Sequence, residues 1–220
     1  MPIAPFYRLM ASQLRRPSGL LARLTGRKMN ESNANMYRLM LDNFQLQAGQ
    51  RVLEIGFGNG KFFADLAAKT AGLWLWGIDF SPEMVREAAR NNPDLIQRGS
   101  LQVTQGSSDR LPYASGMFDA VYACNVIYFW QNPEAHLAEI TRVLRPGGVF
   151  YTGFRPRESM QDMPFARYGF THYSTGEWQG CLERHGFRVE NVVQVQDPET
   201  KVGGINLRLQ SVCMAARKLG

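Results

Sequence analysis

Val52-Leu53-Glu54-Ile55-Gly56-Phe57-Gly58-Asn59-Gly60 opens as a short apolar strand and breaks into three alternate glycines. Gly60–Lys69 then reads as a helix with Phe62, Phe63, Leu66 and Ala67 turned inward. Glycine tolerates positive φ and lets a ligand approach the backbone. The helix start behind it offers unpaired N–H groups to an electronegative ligand. A strand, a glycine turn and a helix in this order mark a ligand loop at the carboxyl edge of an open α/β sheet.

The pattern repeats downstream. Strands are expected at Arg51–Ile55, Leu73–Ile78, Leu101–Gln105, Phe118–Cys124 and Val149–Phe154. Helices are expected at Ser81–Asn91, capped by Ser81 with Pro82 at its first position, and at Pro133–Val143. Pro146-Gly147-Gly148 reads as the turn before the fifth strand. This alternation predicts a doubly wound, mostly parallel α/β sheet of seven strands. A helix over Ser174–His185, stopped by Gly186, precedes strands Phe187–Gln196 and Ile205–Ala215, which form an antiparallel C-terminal hairpin. Ahead of the sheet, 33–46 reads as an amphipathic helix, and residues 1–48 as an N-terminal helical lid to a domain over 49–220.

Charge is unevenly placed. The net charge is +6, and residues 1–30 carry Arg8, Arg15, Arg16, Arg23, Arg27 and Lys28 with no acid, while the basic and acidic residues of the rest cancel. The arm reads as a solvated helix face, or as an attractor of an anionic substrate, a membrane surface or nucleic acid. Cys124, Cys181 and Cys213 are widely spaced, which excludes a disulfide framework and a zinc-site pattern. They fit reduced packing cysteines of a cytoplasmic protein. No apolar run is long enough to span a bilayer.

The glycine spacing separates two ligands. The dinucleotide fingerprint requires glycine at its sixth position, where Lys61 stands. Glu54-x-Gly56-x-Gly58-x-Gly60 instead resembles the first motif of class I S-adenosylmethionine-dependent methyltransferases, whose loop, with Phe57, wraps the methionine end of the cofactor. Gly77-Ile78-Asp79-Phe80-Ser81-Pro82-Glu83-Met84 resembles the second-strand motif of the small-molecule branch. There Asp79 would accept the ribose hydroxyls, and Phe80 and Met84 would flank adenine.

Gly106-Ser107-Ser108-Asp109 resembles the adenine-edge loop, with Ser107 where the family has an aspartate accepting from the adenine amino group. Ser107 and the backbone at Ser108 are the expected contacts. Asn125, just after the fourth strand, falls where such folds face the reacting sulfonium. The resemblance runs from Arg51 to Phe154 and implies methyl transfer from S-adenosylmethionine, leaving S-adenosylhomocysteine.

The acceptor is expected to be a small molecule, since no recognition domain is visible. Nucleic acid is disfavoured because Cys124–Tyr128 lacks the N-P-P-Y or D-P-P-Y pattern of amino-directed enzymes. A macromolecule-directed enzyme using the basic arm, a non-catalytic cofactor-binding protein and, last, a nicotinamide dehydrogenase are the rivals. Candidate substrate residues are Tyr7, Tyr37, Tyr128, Trp130, Arg155 and Tyr173. His172 is the one histidine proposed as a base, with His136 read as a surface residue and His185 as a helix-end partner. The acceptor atom and the oligomeric state are not encoded in any visible motif.

Overall fold

A computed structural model describes residues 3–15, 33–161, 163–202 and 205–220. The basic residues Arg16, Arg23, Arg27 and Lys28 lie outside them. Two N-terminal helices, α1 (Ile3–Arg15) and α2 (33–43), precede the alternating part. That part runs β1 (Arg51–Ile55), α3 (Phe63–Lys69), β2 (Trp74–Asp79), α4 (Pro82–Asn91), α5 (Pro93–Gln97), β3 (Leu101–Gln105), β4 (Phe118–Cys124), α6 (Pro133–Val143) and β5 (Leu144–Phe154). The remainder is α7 (Arg157–Met160), α8 (Thr175–Arg184), β6 (Phe187–Gln196), β7 (Thr200–Val202), β8 (Ile205–Leu207) and β9 (Gln210–Lys218).

Seven strands form one sheet in the order β3-β2-β1-β4-β5-β9-β6. β1 to β5 pair in parallel, and β9 inserts antiparallel between β5 and β6. The order reverses between β1 and β4, which opens a crevice at their carboxyl ends, the usual ligand position in such sheets.

Alternation along β1 sends Leu53 and Ile55 into one apolar cluster and Val52 into the other, so each face of the sheet is covered. Trp178 of α8 is fully buried on the first face, where its indole N–H donates to Thr152 Oγ1 at 3.0 Å. Met36 and Met40 of α2 are fully buried on the second. Gly77 of β2 is there for space: a Cβ would stand 2.5 Å from Phe57 Cδ1 and 2.7 Å from Phe63 Cζ.

Four expectations need correction. α3 begins at Phe63, because the glycine loop runs on through a turn in which Gly60 N–H bonds Phe57 O. The short helix α5 was not anticipated; Pro93 is its first residue. Pairing in β5 starts at Leu144 and resumes at Val149, so the Pro-Gly-Gly segment is a bulge within the strand. Finally, the stretch read as one strand from Ile205 splits. β7 and β8 make a separate small hairpin, and β9 runs on to Lys218.

Candidate active site

β1 delivers the glycine loop to the crevice. Gly56, Gly58 and Gly60 all have positive φ, between 59° and 69°. A Cβ on Gly56 would stand 2.5 Å from Val126 Cγ2, so the loop is seated against the segment after β4. A Cβ on Gly58 would meet no atom within 4 Å, and Gly58 lines an open cavity of about 410 Å³. Gly60 is different: its would-be Cβ meets Ala88 of α4 at 2.6 Å, and it does not line the cavity.

Asp79 ends β2 and is buried. One carboxylate oxygen accepts from Gly58 N–H and the other from Ser81 N–H, both at 2.9 Å. Two loops are thereby fixed to one carboxylate, and its further lone pairs are left for a ligand. Burial pushes its pKa up to about 6, with the two backbone donors opposing. Ser81 caps α4 through Met84 N–H, which helps place Met84 in the cavity wall beside Phe80.

Asn125 follows β4 with φ 56°, the only non-glycine residue at positive φ among the described residues. Strain of this kind persists where surroundings over-determine it. Here Asn125 N–H donates to Gly153 O at 2.8 Å, its Nδ2 donates to Asn33 Oδ1 at 3.0 Å, and its Oδ1 accepts from Tyr128 OH at 3.0 Å. Asn125 therefore joins the start of α2 to the segment after β4.

The cavity gathers Gly56, Phe57, Gly58, Asp79, Phe80, Met84, Ser107, Ser108 and Asn125, together with Tyr37 and Trp130. The other sequence candidates stand elsewhere. Glu54 is buried behind the loop and accepts from Tyr37 OH at 2.5 Å and Tyr122 OH at 2.6 Å. It ties α2 to the sheet and does not line the cavity; burial pushes its pKa up to about 7. Tyr128 is buried and its hydroxyl accepts from Arg155 N–H. Arg155 itself is buried in an ion pair with Asp197 and is therefore not a loop arginine awaiting an anion.

Tyr7 packs on the core, and Tyr173 packs against Trp178 at 5.1 Å between ring centres. His172 donates from Nε2 to Ala166 O at 3.0 Å. None of these three lines the cavity.

Several lining residues were missed by sequence reasoning. α1 contributes Leu14 and Arg15, α2 contributes Asn33, and Phe62 stands in the wall. His136, read as a surface residue, is half-buried and lines the cavity. Its ring stacks on Trp130 at 4.7 Å and 9°, and its Nδ1 is 2.7 Å from Ser108 Oγ. The one available signal was the helical spacing of His136, Glu139 and Arg142, which puts all three on the side of α6 that holds the 106–113 loop. Glu139 Oε2 accepts from Leu111 N–H, and Arg142 donates to the carbonyls of Leu111 and Tyr113.

A doubly wound sheet with a glycine loop after β1, an acid ending β2 and a cavity between them defines a Rossmann-like cofactor-binding protein. Comparison with known proteins narrows the class. A family model described as a methyltransferase domain matches residues 53–152. The O-methyltransferase resE of Aspergillus sclerotiorum is 30% identical over 176 residues, which cover 77% of this chain and 66% of that one. The demethylmenaquinone methyltransferase of Beutenbergia cavernae is 39% identical over 111 residues, covering 50% and 43%.

Among solved structures, the complex between the Haloferax volcanii Trm112 methyltransferase activator and a methyltransferase contains a similar fold. Its TM-score is 0.79 at 21% identity, covering 89% of this chain and 93% of that one. The chain belongs to the class I S-adenosylmethionine-dependent methyltransferases. It spans only 30% to 43% of the length of several curated relatives that it matches.

Proposed function

We propose that this chain transfers a methyl group from S-adenosylmethionine to a small-molecule acceptor, leaving S-adenosylhomocysteine. The observation that carries the cofactor assignment is the open face of Gly58 beside the buried Asp79 carboxylate. In this reading Gly56, Phe57 and Gly58 hold the methionine portion, Asp79 accepts from the ribose hydroxyls, and Phe80 and Met84 flank adenine. A charged acceptor makes those ribose bonds stronger than neutral ones.

When bound, S-adenosylmethionine supplies an electrophilic methyl group, so the protein's task is alignment and exclusion of water. In this reading Asn125 and Phe129, which both line the cavity, face the acceptor. Leu14, Arg15, Asn33 and Tyr37 cover it from α1 and α2, which supports the reading of residues 1–48 as a lid. Arg15 is the one Lys or Arg among the lining residues, and it offers a partner to an anionic group on the acceptor. The cavity volume lies within the range of small-molecule sites. Release of S-adenosylhomocysteine is the test. Turnover with members of a panel of small carboxylic acids, phenols and amines is expected. Turnover only with RNA or protein would overturn the small-molecule acceptor.

The Asp79 carboxylate gives the binding a pH dependence. Its raised pKa of about 6 means that the acceptor form dominates above pH 6 and is lost below it. The affinity for S-adenosylhomocysteine should be flat from pH 7 to 8 and weaken about ten-fold per unit below pH 6. Folding stability runs the other way. Glu54 and Asp79 both have raised pKa values, so their contribution is fully present below the ordinary carboxylate range and is lost as pH rises through about 6 to 7. Calorimetric titrations from pH 5 to 8 check the first, and thermal melts of the ligand-free protein the second.

A further inference from the structure

Ser107 stands where the resembling family places an aspartate, which leaves open what accepts from the adenine amino group. The loop Gly106–Asp109 lies directly beside the ribose acid: Gly106 N–H donates to Asp79 O at 3.0 Å. A base attached to a ribose held at Asp79 is thereby directed toward that loop. At this end of the cavity the wall is made by Ser107, Ser108, Asp109, Trp130, Ala135 and His136.

His136 is held there from two directions. Trp130 lies parallel to the imidazole, and Ser108 Oγ, itself buried, stands 2.7 Å from Nδ1. In the tautomer whose Nδ1–H donates to Ser108 Oγ, Nε2 is a bare acceptor. The neutral form is favoured because burial pushes the imidazole's pKa down, with Asp109 opposing. Its place in the first turn of α6 acts in the same direction as burial.

We propose that His136 Nε2, set by Ser108 and Trp130, accepts the hydrogen bond of the adenine 6-amino group and so supplies the base specificity that an acid at position 107 would otherwise give. The proposal rests on the S-adenosylmethionine reading above. It makes His136 a specificity residue for the cofactor, with no part in the chemical step.

A binding cycle separates this role from a structural one. The probes are S-adenosylhomocysteine and its analogue with hydrogen in place of the 6-amino group, which changes nothing else on the base. Loss of the amino group should weaken binding to the unaltered protein about ten-fold, the worth of one neutral hydrogen bond in a buried site. In His136→Ala the two probes should bind within about two-fold of each other. His136→Gln, which keeps an acceptor, should retain most of the discrimination.

A structural role would weaken both probes equally and leave their ratio intact. A ratio unchanged in His136→Ala, or one abolished by Asp109→Asn instead, would overturn the proposal. Failure of the unaltered protein to bind either probe would instead overturn the cofactor assignment on which it rests.

Discussion

Replacing Asp79 with alanine is expected to weaken S-adenosylhomocysteine binding by about 100-fold or more. The substitution removes a charged acceptor from a buried position where two ribose hydroxyls are proposed to donate. It also releases Gly58 N–H and Ser81 N–H, which now end on that carboxylate. Both effects act in the same direction on binding. They diverge on stability, because the buried carboxylate is costly in the ligand-free protein and its removal offsets the lost loop bonds. The melting temperature should therefore move little while the affinity collapses. Calorimetry and a thermal melt on the same preparation check both, and a Kd within about three-fold of the unaltered protein would remove the ribose assignment.

Breaking the Arg155–Asp197 pair is expected to have the largest effect on folding. Both side chains are less than a tenth exposed, and the pair links the ends of β5 and β6. Asp197 Oδ2 also accepts from Ser211 Oγ at 3.1 Å, whereas Oδ1 has no hydrogen-bond partner among the described residues. Arg155→Met leaves that carboxylate buried and uncompensated, at a cost of about 3–5 kcal/mol. Arg155→Met combined with Asp197→Leu should lose less than the single change, because no isolated charge is left behind. Urea titration measures both, with the midpoint reporting stability and an unchanged m-value confirming the same unfolding reaction. A loss under about 1 kcal/mol for Arg155→Met would contradict the pair's role.

This pair also shows why parts of the molecule were illegible in the sequence. Arg155 follows a strand in a segment that reads as a loop, and its partner lies 42 residues away with no local spacing to reveal it. The sheet was legible for the opposite reason. β1 to β5 carry local apolar runs punctuated by glycine and proline, and Ser81-Pro82 and Gly186 mark helix ends through backbone rules. Where punctuation was ambiguous the reading failed. Pro93 starts a five-residue helix, and Ile205–Leu207, read as the start of the last strand, belongs to a different hairpin from β9.

The site divides in the same way. Gly56, Gly58 and Asp79 act through backbone geometry at strand ends, and that geometry is written locally. Glu54 sits in the same motif, but the alternation of β1 turns it to the α2 face, where Tyr37 and Tyr122 claim both oxygens. Tyr128 and Trp130 are near neighbours in sequence, yet only Trp130 lines the cavity. That difference depends on the 3-10 turn at Ile127–Phe129, which no spacing announces. His136 depends on how α6 docks against the 106–113 loop, a tertiary event.

Isothermal titration of the full chain with S-adenosylhomocysteine, at pH 7.5 with NADH as the comparison ligand, tests the central claim most directly. Saturable one-to-one binding of S-adenosylhomocysteine and no heat with NADH is the predicted result. Absence of S-adenosylhomocysteine binding by folded protein, or binding of NADH in its place, would contradict it.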